Sequence, residues 1–129
     1  LAHPVESVTA VSSTEEILRY QKDILSVYVS EELRGYILDL TEATRSSSLL
    51  KLGVSPRGSL ALFRGAQALA ALRGRNFVVP EDIRELILPV FSKRIILKPG
   101  QLLKGITETI AVQRITDLVT VPIPGKQDA

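Results

Sequence analysis

Ser55-Pro56 opens the stretch that most restricts what this chain can become. A serine suited to capping a helix precedes a proline, whose missing N–H and fixed φ suit the first helical position. From Pro56 to about Leu72 the residues are nearly all small or apolar, among them Leu60, Ala61, Leu62, Phe63, Ala66, Leu69, Ala70 and Leu72, and Gly74 follows. A helix apolar on most of its sides belongs in the middle of a bundle, and a glycine just past its end supplies the stop. The rest of the chain must therefore provide the elements that surround it.

Four more helices can be read from caps and periodicity. Ser12 and Ser13 each have a glutamate three residues on, Glu15 and Glu16, which is the capping-box spacing; Ile17, Leu18, Gln21, Ile24 and Leu25 follow at helical intervals. This predicts a first helix over about Thr14 to Leu25. Ser30 caps a second, with Glu31 and Glu32 in its first turn and Leu33, Tyr36, Ile37, Leu40 and Thr44 as its apolar stripe. After a loop at Leu49 to Val54 and the central helix, Pro80-Glu81-Asp82 opens a fourth. Its buried face is Ile83, Leu86, Ile87 and Val90, with Pro89 expected to kink or break it. A last helix is expected over about Thr107 to Leu118. Ile95-Ile96-Leu97 reads as extended, with room for one minimal two-stranded contact against Phe77-Val78-Val79. The fold class is all-α, a bundle of about five helices over residues 13–120, with residues 1–12 as a linker and 121–129 as a Pro-rich tail. There is no internal repeat and no low-complexity tract.

Composition narrows the function. At 129 residues, with 45% apolar and 23% charged, the chain is one ordinary globular domain. No apolar run approaches the ~20 residues of a membrane span, and the start carries no basic-then-apolar leader, so no membrane partner is expected. The absence of cysteine excludes a disulfide framework and a thiolate site and fits a cytoplasmic location. Methionine is absent even at position 1, which reads as a segment of something longer. The net charge of +2 is too small to argue for nucleic acid. Its distribution is uneven, however: residues 43–80 hold no Asp or Glu but carry Arg45, Lys51, Arg57, Arg64, Arg73 and Arg75.

No catalytic constellation is present. The one histidine, His3, lies in the linker without a nucleophile at a telling spacing. Glu15-Glu16, Glu31-Glu32 and Glu81-Asp82 each open a helix, where the dipole alone accounts for acids. Gly53-Val54-Ser55-Pro56-Arg57-Gly58-Ser59-Leu60 has the glycine spacing of a phosphate-binding P-loop, but Ser59-Leu60 stands where Lys-Ser/Thr is needed. No P-loop ATPase is complete in this chain. Arg57 is the outstanding candidate. It sits in the first helical turn, where the dipole disfavours a cation by up to about 1 kcal/mol, yet where an anion is held well by free amides and a guanidinium fork. Arg64, nearly two turns on, projects from the same stripe, and Ser55 caps the same start. Arg73 and Arg75 flank the stop at Gly74, as the C-terminal dipole favours, and Tyr20, Tyr28 and Tyr36 read as core or rim.

These residues also carry a resemblance. Gly53 to Leu62 is similar to the G-A-S-P-R-A-S-L-A-L signature of the MoxR-type AAA+ lid, and Ala71 to Ile83 resembles its A-L-L-R-G-R-D-Y-V-T-P-D-D-V segment. Pro89-Val90 to Arg94 and the Val-Pro-Ile-Pro ending are similar too, and His3-Pro4 resembles the close of that family's core domain. Val54 and Gly58 both stand where the family has alanine, and Val79 where it has a capping threonine. The resemblance implies an AAA+ lid that closes over ATP held, with magnesium, on a separate core domain. It makes Arg57 the sensor-2 arginine, acting in catalysis through the γ-phosphate; Ser55 and Arg64, by their places on the same helix, are candidates for further phosphate contacts. It also implies the core domain and neighbouring subunits of a ring as partners, an unknown client protein, and no ATPase activity in the lid alone. Two other readings stand beside it: a small helical nucleic-acid-binding domain using segment 43–80, and a helical docking module without a ligand.

Overall fold

A computed structural model describes residues 4–123. The chain runs through five helices and two short strands: α1 (Thr14–Ile24), α2 (Glu31–Ser46), β1 (Leu50–Leu52), α3 (Pro56–Leu72), α4 (Pro80–Phe91), β2 (Ile96–Leu97) and α5 (Glu108–Thr116). Single 3-10 turns occupy Pro4–Ser7, inside the expected linker, and Leu102–Lys104. The all-α expectation holds, with a two-stranded contact as its only sheet among the described residues. His3 and positions 124–129 of the tail lie outside the described residues. None of the described helices is long and apolar enough to cross a membrane.

The helix starts follow the sequence signals. Ser13 and Glu16 form a reciprocal capping box at α1, and Ser30 and Thr107 cap α2 and α5 through their hydroxyls. At its far end α3 stops at Gly74, which adopts φ +71. There Arg75 N–H reaches Ala70 O at 3.0 Å and Gly74 N–H reaches Ala71 O at 2.9 Å. This is the paired closure that only a residue tolerant of the left-handed region completes without strain. Pro89 does not break α4, which continues to Phe91. Only the last turn lies beyond it, so the single hydrogen bond it removes costs little of the helix.

α3 packs chiefly against α4 and α2, while α2 and α4 both contact α5. Leu40, Val54, Leu62, Ala66, Ala70, Ile83, Phe91 and Val112 are fully buried between them. Small residues set the spacing: a Cβ at Gly65 would sit 3.2 Å from Leu86 Cδ1, so α3 and α4 approach closely there. The central helix is nevertheless open on one side, with Leu60 and Leu72 exposed. α1 lies at the periphery against α3 and buries no residue.

The strand pairing differs from the expected one. Ile96–Leu97 pairs antiparallel with Leu50–Leu52, inside the segment read as a loop, and Phe77 forms an isolated parallel bridge with Tyr28. Tyr28 N–H donates to Asn76 O at 2.8 Å and Val78 N–H to Tyr28 O at 2.9 Å. Each extended piece thus satisfies its backbone with a partner more distant in sequence than the neighbour that local reading offered.

Candidate functional site: the start of helix α3

The loop that leads into α3 is held on one side by α2. Thr44 Oγ1 accepts from Val54 N–H at 2.9 Å, and Arg45 Nε donates to Val54 O at 2.9 Å, so both backbone groups of Val54 are held. Gly53 lies directly on the α2 backbone: a Cβ there would fall 2.7 Å from Arg45 Cα, Arg45 N and Thr44 C. No side chain fits without moving one backbone off the other. Thr44 belongs to the apolar stripe by position and is fully buried, but its hydroxyl donates to Thr41 O at 2.6 Å within α2 while accepting from the loop. Sequence reasoning missed Thr44 and Arg45 as positioning residues. The available signal was a polar residue at the last buried position of α2.

On this support stand Ser55, Pro56 and Arg57. Ser55 occupies the N-cap with extended backbone, but its hydroxyl makes no capping hydrogen bond, unlike the capping serines of α1 and α2. Arg57 is exposed, and neither its amide nor its guanidinium has a partner among the described residues. The helix start therefore presents a free hydroxyl, a free amide and a free guanidinium on a fixed backbone. Beside it lies a cavity of about 520 Å³ whose lining includes Arg45, Lys51, Ser55 and Arg94. Asp39 and Glu42 line a neighbouring cavity together with Arg45, Pro56 and Ser59. An anion is the ligand this surface suits.

Gly58 is packed tightly under the helix start. A Cβ on Gly58 would clash with Val54 Cγ1 and lie 3.2 Å from Arg94 Cδ. The valine methyl occupies the space a side chain at position 58 would need, so Gly58 and Val54 compensate each other sterically.

The other candidate cations are engaged. Arg64 donates from Nη1 to Gln67 Oε1 at 2.8 Å and lies over the Phe63 ring. Gln67 in turn donates to Val27 O at 2.7 Å, tying α3 to the connector between α1 and α2. Arg64 thus stands two turns from Arg57, roughly 10 Å along the axis, within a network of its own. Arg73 and Arg75 are ion-paired instead of merely facing the C-terminal dipole. Asp82, fully buried at the start of α4, accepts from Arg73 Nη1 at 2.9 Å, Arg75 Nη2 at 2.6 Å and Arg75 Nη1 at 2.8 Å, and Arg73 also reaches Glu85 at 2.6 Å. Asp82 additionally accepts from Val79 N–H at 3.0 Å, supplying half of the cap that Val79 itself lacks. Burial alone would raise the Asp82 carboxyl above its ordinary 3.8, but hydrogen bonds from Arg75 and Val79 N–H, with Arg73 behind them, hold it lower. Hydrogen bonding to Glu85 raises Arg73 in turn, and hydrogen bonding to Asp82 raises Arg75. The basic segment is consequently not one continuous cationic face.

Comparison with known proteins now decides the family. The sequence profile described as the AAA lid domain matches residues 42–115. The chain belongs to the AAA lid domain family. Its curated relatives place it among lids of the MoxR kind: it is 31% identical over 121 residues to Chaperone MoxR1 of Mycobacterium tuberculosis, 87% of this chain and 32% of that protein. It is 40% identical over 86 residues to Protein MoxR of Paracoccus denitrificans, covering 57% of this chain and 25% of that one. It is also 34% identical over 122 residues to an uncharacterized protein, YeaC, of Bacillus subtilis, 95% of this chain and 38% of that protein. A crystal structure described as an ATPase candidate from Cytophaga hutchinsonii superposes with a TM-score of 0.84 at 30% identity, over 90% of this chain and 38% of that one. The AAA lid chain thus spans about a third of the length of the relatives it matches.

Proposed function

We propose that this AAA lid closes over ATP held by a nucleotide-binding core in a longer parent protein, and that Arg57 is its sensor-2 arginine. The observation that carries the reading is the free Arg57 guanidinium on a helix start that α2 holds rigidly. A helix N-terminus with free amides favours anions, and a guanidinium added there can form two parallel hydrogen bonds to phosphate oxygens. In nucleoside triphosphate hydrolysis, an arginine at the terminal phosphate neutralises charge that develops on its oxygens. Within this chain, Arg57 supplies that charge and Ser55 can add a hydroxyl contact, while Arg64, also a candidate phosphate contact, is hydrogen-bonded to Gln67 two turns away. In this reading magnesium would be held on the core domain together with the ATP. Residues 1–12 would join lid to core, and the lid alone would hydrolyse no ATP.

We further propose a chaperone-like or complex-assembly role in a cytoplasmic ring, with the core and neighbouring subunits as partners; the word chaperone in the name of the relative Chaperone MoxR1 supports the first part of that reading. The nucleic-acid reading gains no support from Arg73 and Arg75, whose charges are spent on Asp82 and Glu85. The test is steady-state ATP hydrolysis by the full-length parent, wild type against Arg57→Ala, with nucleotide affinity measured in parallel. An arginine at the transferring phosphate predicts a loss of turnover of about tenfold or more with the fold intact. Unchanged turnover would reduce Arg57 to a surface arginine.

A further inference from the structure

Arg57 is not the only cation that folding brings to the start of α3. The cavity of about 520 Å³ beside it is lined by three more, from three separate elements: Arg45 of α2, Lys51 of β1 and Arg94 of the turn after α4. No carboxylate lines this cavity, and none of the three cations forms an ion pair among the described residues. Like charges gathered without a counter-ion repel one another, and that cost falls away when an anion joins them.

Local backbone aims two of the three. β1 sets three residues, Leu50 to Leu52, against two, Ile96 and Leu97, so Lys51 is the extra residue of a bulge, a device that turns a side chain out of its ordinary alternation. Arg94 stands just before the opposite strand, in a turn closed by its own N–H to Phe91 O at 2.9 Å. Its stem crosses the first turn of α3, since its Cδ lies 3.2 Å from where a Cβ on Gly58 would stand. Gly58 thus leaves the space that the stem occupies next to Arg57. At the head, Nη1 donates to Val90 O at 3.0 Å, and the guanidinium has no other partner among the described residues. Arg45 differs, because its Nε is spent on holding Val54 O.

We propose that Arg94 and Lys51 bind the phosphate chain of the nucleotide beside Arg57, so that the lid meets it from the β1–β2 pairing as well as from α3. The inference rests on the sensor-2 reading for the presence of a nucleotide at this end of the lid. One carboxylate would leave most of the gathered charge uncompensated, whereas a triphosphate carries several negative charges on a short chain. A guanidinium fork and a lysine point charge both suit phosphate oxygens. The competing use of Arg94 is a stem laid over apolar surface with its charge in water. Arg94→Met keeps such a stem and removes the charge, so it separates the two.

The test is equilibrium binding of a non-hydrolysable ATP analogue and of inorganic triphosphate to the full-length parent, with adenosine as the probe that lacks phosphate. Arg94→Met should weaken both phosphate probes by about fivefold or more, as loss of a charge-assisted hydrogen bond predicts, and Lys51→Met/Arg94→Met by about tenfold or more. Adenosine should bind the variants as it binds wild type. Failure of the sensor-2 reading is seen separately, as unchanged hydrolysis in Arg57→Ala, and does not decide this result. The proposal is overturned if Arg94→Met binds triphosphate within about twofold of wild type, or if the double variant binds no more weakly than Arg94→Met. An equal loss for adenosine overturns it as well, because the charge would then not be what binds.

Discussion

The two ends of α3 both carry arginine, and they have opposite fates. At the C-terminal end Arg73 and Arg75 are consumed by Asp82 and Glu85 of the next helix. At the N-terminal end Arg57 forms no ion pair among the described residues, and the loop below it is anchored by the Arg45 guanidinium and the Thr44 hydroxyl. The acid-free run 43–80 ends just where α4 brings Glu81 and Asp82, so proximity to α4 separates structural cations from available ones. The lesson is that a cation becomes a candidate for function when folding leaves it unpaired on a backbone that cannot yield.

The sharpest break of that comparison is at Gly53. Gly53→Ala should destabilise the domain by about 3 kcal/mol, because the added methyl meets α2 backbone and not a movable side chain. Chemical denaturation would measure it, and a loss below about 1 kcal/mol would mean the α3 start is not rigidly held. Next is the other end: Asp82→Ala should cost about 2 kcal/mol, below the cost of a fully buried pair because Arg73 and Arg75 can return partly to water. The folded-state pKa of Asp82 lies below its unfolded value, so its contribution is complete above about pH 4 and fades as pH falls further. The stability gap between wild type and Asp82→Ala should therefore narrow below that pH, and a gap constant down to pH 2 would contradict the clamp.

A smaller effect tests the compensation beneath Arg57. Gly58→Ala should cost about 1–2 kcal/mol, since the clash with Val54 exceeds the gain of about 1 kcal/mol in helix propensity. In a Val54→Ala background the same change should be neutral or stabilising, a coupling of about 1 kcal/mol or more in a double-mutant cycle; additive effects would refute the compensation. The smallest expected change is at Arg57 itself. Arg57→Ala should shift stability by less than about 0.5 kcal/mol, as for an exposed side chain without partners. That near-silence on folding, beside a large loss of hydrolysis in the parent, would separate function from structure.

Local signals were legible. Ser13 with Glu16, Ser30, Ser55-Pro56, Gly74 and Thr107 each mark a helix boundary within a residue or two of the observed one, because capping is decided by side chains a few positions apart. Arg57 was readable for the same reason, as a residue of a helix start. What could not be read was long-range. Leu50–Leu52 finds Ile96–Leu97, and Phe77 finds Tyr28, through the packing of helices between them. The pairing of Arg73 and Arg75 with a buried Asp82 likewise depends on how tightly the α3–α4 turn closes, which periodicity does not encode. Thr44 hid in an apolar stripe because burial and hydrogen bonding to Val54 look alike in a hydropathy pattern. The chemistry of Pro89 predicts a kink or break, and its place near the end of α4 lets the helix continue to Phe91 without a break.

The pairing of β1 with β2 has a further consequence, for the order of folding. The α3–α4 hairpin is built from contacts between near neighbours, whereas the strand contact joins residues about 47 positions apart and is late by the usual dependence of rate on sequence separation. β1 leads directly into Gly53 and the Arg57 start, so that surface reaches its final form only after the segment beyond α4 has docked. During synthesis the start of α3 would mature last, after most of the core beneath it has already condensed.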